Sequence, residues 1–331
     1  MKHLNAFFRL SLTLLLTGLV LVPPAQAASL SFALFGDVYM TGDQEGYLKG
    51  MLEDMAKKRE ELAIFTGGLK PVDQGCQDQH LIAAYPVFAR SPLPTFYVPG
   101  DAEWTLCTRF APEERLQLLR KTYYQSNRSL GDPSLPLSRE PEHPELMRWQ
   151  VGDTIFVTLN ITGNNNRWGN QTEASREFQE RSLVGLNWLK EAFNTARSTD
   201  RPMLVIVMHG DPGFESVDGN QSTQGYQPLI DLLKQETEQF PGQILVVHGG
   251  SGVHRIDHPL LNANNLPYQN FTRVETYGAI QQGWVEVRVE RNDKAGDDPI
   301  RRTEFKFESF PWPPLSLELE SPITETQSMP Q

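Results

Sequence analysis

Basic residues are scarce in this chain: 30 Lys and Arg stand against 41 Asp and Glu over 331 residues, a formal net charge of -11. That balance removes nucleic acid and anionic membrane surfaces as electrostatic partners. Cysteine is scarcer still. Cys76 and Cys107 are the only two, and neither sits in the Cys/His pattern of a thiol nucleophile. After Val22 no segment sustains the ~18 consecutive apolar residues of a membrane-spanning helix. The P-loop G-x-x-x-x-G-K-[ST] and the G-x-S-x-G elbow are both absent, which excludes those two routes to phosphate binding and serine catalysis. The chain has no internal repeat.

What is present begins with Lys2 and Arg9, an apolar stretch from Leu10 to Val22, then Pro23, Pro24 and Ala25-Gln26-Ala27. This is the order of a secretory signal peptide cut after Ala27. The apolar stretch falls short of the roughly 20 residues of a spanning helix. Loss of Lys2 and Arg9 leaves 28 basic against 41 acidic residues, a net -13. The expected organisation is a signal peptide over 1–27, one domain over 28–310 and a flexible proline-rich tail over 311–331. The mature protein is expected in the periplasm or secreted, without a membrane span. In an oxidising compartment Cys76 and Cys107 are expected to bridge, closing a loop of about 30 residues worth about 3 to 4 kcal/mol. A catalytic thiol is the alternative.

Hydrophobic periodicity predicts strands at Leu30–Phe35, Leu62–Phe65, Pro94–Val98, Met203–Met208 and Gln243–Val247, with a hairpin over Met147–Gln150 and Thr154–Asn160. Helices are expected over Glu45–Glu61, His80–Ala89, Pro112–Tyr124, Glu173–Arg197 and Tyr226–Phe240. Gln125–Glu145 reads as a long surface loop. Asn270–Thr276 and Gly283–Glu290 read as half-solvated antiparallel strands. The alternation makes the fold class α/β, with a right-handed βαβ unit at its start.

Five apolar runs break into short polar or glycine-rich turns: Phe32 to Tyr39, Ile64 to Gly68, Phe96 to Trp104, Leu204 to Pro212 and Ile244 to His254. Turns at the carboxyl ends of parallel strands converge on one crevice. Their order and spacing resemble the calcineurin-type metallophosphoesterases, whose pattern is D-x-H, G-D, G-N-H-D/E, a later histidine and G-H-x-H. Pro99-Gly100-Asp101-Ala102-Glu103-Trp104, His248-Gly249-Gly250-Ser251-Gly252-Val253-His254-Arg255-Ile256-Asp257 and Phe271-Thr272-Arg273-Val274-Glu275-Thr276-Tyr277-Gly278 further resemble an exported bacterial branch of that family. The resemblance implies a sandwich of two mixed β-sheets flanked by helices. It also implies a pair of divalent metal ions, Mn, Fe or Zn, that activate water for attack on a phosphate ester.

The ligand positions are thinly populated. Asp37 and His209 match the family's first aspartate and later histidine, and His209 also fits a structural role. Tyr39 stands where the first motif has histidine. Gly68 replaces the bridging aspartate, Ala102 the asparagine, and Gly250 and Gly252 two further ligands. Asp101, Glu103 and His254 are candidate substitutes as metal ligands, and Tyr39 and His248 candidates to orient a substrate. The sequence thus favours a fold that has lost its two-metal centre and, with no or only weak hydrolysis, binds a phosphorylated or anionic small molecule through backbone N–H groups of the glycine turns. A single-metal or rearranged phosphohydrolase and an interaction module of the cell envelope are the alternatives. Only the second of these three requires a metal.

Overall fold

The computed structural model of the protein describes residues 30–313, except 45, 171–172, 216–222 and 292–302. The signal peptide expected over 1–27 and the tail beyond Pro313 lie outside the described residues. The first apolar run forms β1 (Leu30–Phe35). The helical spacing of Leu48, Met51, Leu52 and Met55 folds as α1 (Tyr47–Lys57), with all four buried. β2 (Leu62–Phe65) returns parallel to β1, Leu34 opposite Ile64. The single helix expected over His80–Ala89 is instead two short ones, α2 (Asp78–Ile82) and α3 (Tyr85–Phe88). Pro86, in the first turn of α3, has no amide N–H with which to continue an earlier helix.

β3 (Pro94–Tyr97) lies parallel to β2 and leads through the 3-10 turn Asp101–Glu103 to α4 (Pro112–Tyr123). The stretch expected as a surface loop carries β4 (Leu130–Gly131) and β5 (Ser138–Arg139). These pair antiparallel with β3 and with β6 (Met147–Val151). Strands of two residues are too short to show an alternation in sequence. β6 and β7 (Thr154–Thr158) make the expected hairpin. After the single turn α5 (Gly163–Asn166), α6 (Arg176–Ser198) starts at Ser175, whose hydroxyl accepts the Phe178 N–H at 3.1 Å. β8 (Met203–Val207), α7 (Gln227–Gln239), β9 (Gln243–His248), β10 (Arg255–Asp257), β11 (Phe271–Glu275), β12 (Gly283–Arg291) and β13 (Thr303–Pro311) follow.

The strands form two mixed sheets, ordered β13-β12-β1-β2-β3-β4 and β10-β11-β9-β8-β7-β6-β5. They meet through aromatic side chains: Phe96 stacks on Trp149 at 3.7 Å, Trp149 on Phe156 at 5.0 Å, and Phe32 sets its edge against Phe156 at 5.1 Å. On the outer face of the second sheet Leu189 and Phe193 of α6 and Leu233 of α7 pack with Ile206 and Val246.

β11 departs from the half-solvated antiparallel strand expected there. It is buried along its whole length, parallel to β9, and only β10 lies beyond it. Its polar residues Arg273 and Glu275 are fully buried as ion pairs, so the alternation reports charge pairing rather than solvent. β13 runs through Pro311, past the boundary expected at 310. The Trp312 N–H donates to the Gln282 carbonyl at 2.9 Å, and its ring lies against Gly50. Cys76 and Cys107 are bonded to each other. Among the described residues no helix is long and apolar enough to cross a membrane.

Candidate functional site

Parallel strands β1, β2 and β3 in one sheet and β8 and β9 in the other deliver their following turns to one end of the sandwich. The convergence is direct: His209, after β8, reaches both the turn after β2 and the turn after β3. Its Nδ1 donates to the Thr66 carbonyl at 2.8 Å, and its Nε2 faces Asp101 Oδ1 at 3.1 Å. A carbonyl can only accept, so Nδ1 carries a proton. Asp101 is held ionised: burial raises its pKa, but the hydrogen bond and charge of His209 outweigh that and set it below the usual carboxylate range. Nε2 therefore carries a proton too, and His209 is an imidazolium. Burial opposes that charge, yet the bond to Asp101 and the charges of Asp101, Asp37 and Glu103 raise its pKa to about 10.

Asp37 follows β1 in a left-handed conformation with φ of 51°, its N–H on the Gly67 carbonyl at 2.8 Å and its own carbonyl accepting from Gln282 Nε2 at 2.8 Å. Burial raises its pKa to about 7; the charge of His209 lowers it, and those of Glu103 and Asp101 add to the rise. Glu103 is fully buried; its Oε1 accepts the Leu69 N–H, while its Oε2 has no hydrogen-bond partner. Desolvation raises its pKa. Asp37, Asp101, Glu103 and His209 therefore form one electrostatically coupled group, three carboxyls around one buried cation.

Gly68 is more than a missing ligand. It sits at φ of 83°, and a Cβ there would fall 2.8 Å from Asp37 Cα and closer still to the Asp37 carboxylate. Asp37 fills the space that a side chain at position 68 would need. Gly250 also has positive φ, 89°, and a Cβ there would stand 3.1 Å from the His209 carbonyl oxygen, whereas Gly252 faces open space.

The other sequence candidates are seated elsewhere. His248 is buried, its Nδ1 2.8 Å from the Gly249 carbonyl and its Nε2 unpartnered, 3.8 Å from Asp211 Oδ1; desolvation lowers its pKa, keeping it neutral. His254, expected to share the face of the ligands, turns away from them. Its Nδ1 meets the Glu275 carbonyl and its Nε2 Ser309 Oγ, each at 2.8 Å, and its ring stacks on Tyr277. The two-residue offset places it over β13 rather than in the crevice. Tyr39 is half-buried, and its phenol is pushed up to about 12, by desolvation first and then by Asp37 and Glu103, so it is no phenolate ligand.

Sequence reasoning missed two features beside this group. Arg255 binds Asp211 and Glu275 at 2.8 Å each, and Arg273 binds Asp257 and Glu215, a charge network on the outer face of β9, β10 and β11. The second is the turn at α5: Asn164, Asn165, Asn166 and Arg167 all have φ between 51° and 55°. Buried Arg181 holds it, bonding the Asn160 carbonyl at 2.7 Å, Asn166 Oδ1 at 2.6 Å and the Asn166 carbonyl at 2.8 Å. The run Gly163-Asn164-Asn165-Asn166 was a legible signal, since asparagine tolerates left-handed backbone.

No protein-family model matches the chain, and no curated protein matches it. Solved structures do. A dimetal phosphatase from Danio rerio is 10% identical, with 85% of this chain and 98% of that one aligned at a TM-score of 0.52. GAP50, the anchor in the inner membrane complex of Plasmodium, is 13% identical over 85% of this chain and 84% of its own, with a TM-score of 0.47. Purple acid phosphatase from yellow lupin is 10% identical over 86% and 54%, also at 0.47. Two mixed sheets face to face, helices outside them and a crevice at the carboxyl ends of the parallel strands: the chain has the fold of the calcineurin-like phosphoesterases.

Proposed function

We propose that this chain is an exported protein of phosphoesterase fold that has no two-metal centre and acts by binding rather than by hydrolysis. The observation that carries the reading is the state of His209. With Nδ1 on the Thr66 carbonyl and Nε2 on Asp101, it has no lone pair for a metal. The remaining donors do not fit a dimetal site either. Glu103 is fully buried with one oxygen on the Leu69 N–H, Gly68 has neither a side chain nor room for one, and His254 faces away. Among the described residues no group of three or more His, Cys, Asp or Glu is arranged to hold a metal ion. The imidazolium supplies inside the protein a positive charge of the kind that metal ions supply in a metallophosphoesterase.

The charge of the crevice works against an anionic small molecule. Two of its turn N–H groups are taken by the chain's own carboxylates, Leu69 N–H by Glu103 and Ser251 N–H by Glu275 at 2.9 Å. A phosphate would meet Asp37, Asp101 and Glu103 with one buried imidazolium to offset them. Binding of a partner at the crevice mouth is the role that fits this chemistry.

Elemental mass spectrometry of the purified chain, after exchange into manganese- or zinc-containing buffer and desalting, tests the reading. It is paired with hydrolysis assays on para-nitrophenyl phosphate and its bis-ester. The expected result is no stoichiometric metal and no metal-dependent hydrolysis. One equivalent with activity would install the single-metal hydrolase instead, and two would overturn the loss of the dimetal centre.

A further inference from the structure

Three large apolar side chains reach solvent on the loops that surround the crevice. Ile280 is fully exposed at 103%, Val253 is 60% exposed and Val72 59%. These are not scattered. Gly278, two residues before Ile280, packs on the Gly252 backbone, where a Cβ would fall 2.7 Å from the Gly252 carbonyl oxygen; Val253 follows directly. Gln44 ties the same loop to Tyr39, donating to the Ala279 carbonyl at 2.8 Å and accepting the Tyr39 N–H at 3.1 Å. Met40 N–H bonds the Leu69 carbonyl at 3.0 Å, which brings in the turn that carries Val72. The turns that carry Ile280, Val253, Val72, half-buried Tyr39 and Asp37 thus adjoin one another. Contiguous exposed apolar residues on a folded domain mark interaction surfaces; isolated ones do not.

The charge of the same turns selects the partner. Residues 36–42, 66–76, 99–106, 248–254 and 276–282 contain Asp37, Asp73, Asp101 and Glu103 against a single Lys, Lys70, and no Arg. Lys70 is buried, its Nζ spent on the Pro71 and Gln74 carbonyls at 3.1 and 2.7 Å. These turns therefore set apolar side chains beside Asp37, Asp101 and Glu103, three carboxyls that share one buried imidazolium, His209.

We infer that this set of turns is a docking surface for a protein segment that alternates apolar and basic residues, its aliphatic side chains on Ile280, Val253 and Val72 and a lysine or arginine directed at Asp37. The inference rests on the reading of the crevice as metal-free. Aliphatic contact supplies affinity, and charge complementarity supplies orientation and selects against acidic segments.

The test is fluorescence anisotropy with the purified full chain, its metal content measured on the same sample, and three labelled peptides of about ten residues that alternate leucine with lysine, leucine with glutamate, or serine with lysine. The leucine–lysine peptide is expected to bind at least about ten-fold more tightly than either other peptide. The Ile280→Ser/Val253→Ser variant, altered only at exposed loop positions and neutral in charge, should lose the advantage over the serine–lysine peptide, while Leu183→Ser on α6 should keep it. Equal binding of the serine–lysine peptide would reduce the effect to charge alone and overturn the inference. So would tighter binding of the leucine–glutamate peptide, insensitivity to the double variant, or sedimentation showing that Ile280 and Val253 are covered by a second copy of the chain. Failure in a metal-free sample overturns the docking surface alone; two bound metals overturn the metal-free reading beneath it.

Discussion

His209 and Asp101 form an ion pair, Nε2 to Oδ1 at 3.1 Å, that ties the turn after β8 to the turn after β3 across the two sheets. The pair sits with Asp37 and Glu103, so it balances charge for three carboxyls and joins the halves of the sandwich at once. Removing one member leaves the other charge buried without its partner. His209→Ala is therefore expected to cost about 3 to 5 kcal/mol of unfolding free energy. Urea denaturation followed by circular dichroism measures it, and a loss under about 1 kcal/mol would show that the pair is not structural.

The same group fixes the pH dependence of stability. The His209 pKa is raised from 6.5 to about 10, so its contribution is complete below about 6.5 and is lost as pH rises toward 10. The Asp37 pKa is raised from 3.8 to about 7, so the folded state holds a proton that the unfolded state releases, and stability falls as pH rises between those values. Both signs agree: the melting temperature should climb as pH is lowered from 9 to 5. Asp37→Asn should flatten the part of that slope below pH 7. A melting temperature that rises with pH over this range would contradict the assigned protonation states.

Rebuilding the dimetal site should fail at its first step. Gly68→Asp forces a side chain into the Asp37 contact and into a left-handed backbone, and we expect it to destabilise the fold by more than about 2 kcal/mol without creating metal affinity. Gly252→His also has a positive φ, 78°, but meets no atom within 4 Å and should cost only about 1 kcal/mol. Calorimetric titration with Mn²⁺ alongside thermal melting would separate the two. Metal binding by a folded Gly68→Asp variant would show that the turn after β2 can open.

The disulfide ties two site loops together. Cys76 ends the loop after β2, Cys107 lies in the loop after β3, and Arg115 of α4 donates to the Cys76 carbonyl at 3.1 Å. A separation of 31 residues predicts a loss of about 3 to 4 kcal/mol on reduction or in Cys76→Ser/Cys107→Ser. Denaturation midpoints with and without reductant measure it; equal midpoints would place the bridge outside the cooperative unit.

The left-handed turn at α5 should depend on Arg181. Each residue in that conformation costs about 1 to 2 kcal/mol, and Arg181 supplies the buried hydrogen bonds that offset it at Asn160 and Asn166. Arg181→Met should expose the Gly163–Arg167 amides to hydrogen exchange faster than those of β8. Uniform exchange across both would deny the arginine that local role.

Much of this architecture was legible from residue order. Buried-type runs such as Leu30–Phe35 and Met203–Val207 specify strands because every side chain in them is apolar or small, and the spacing of Leu48, Met51, Leu52 and Met55 specifies a helix because only a 3.6-residue period brings them to one face. β11 was illegible for the opposite reason: charge in a strand implies solvent unless a partner is known, and the partners of Arg273 lie 16 and 58 residues away.

By itself the sequence determined the alternation of elements, the two-cysteine pairing and the absence of side chains at Gly68, Gly250 and Gly252 and of a ligating one at Ala102, because these are properties of local pattern and residue type. It left the state of the site undetermined. That His209 is an imidazolium held between Thr66 and Asp101, that Gly68 has no room for the aspartate it replaces, and that the turns of Ile280 and Val253 adjoin were decided by tertiary structure. Protonation and steric room depend on groups remote in the chain, and only the folding of two sheets face to face sets their distances.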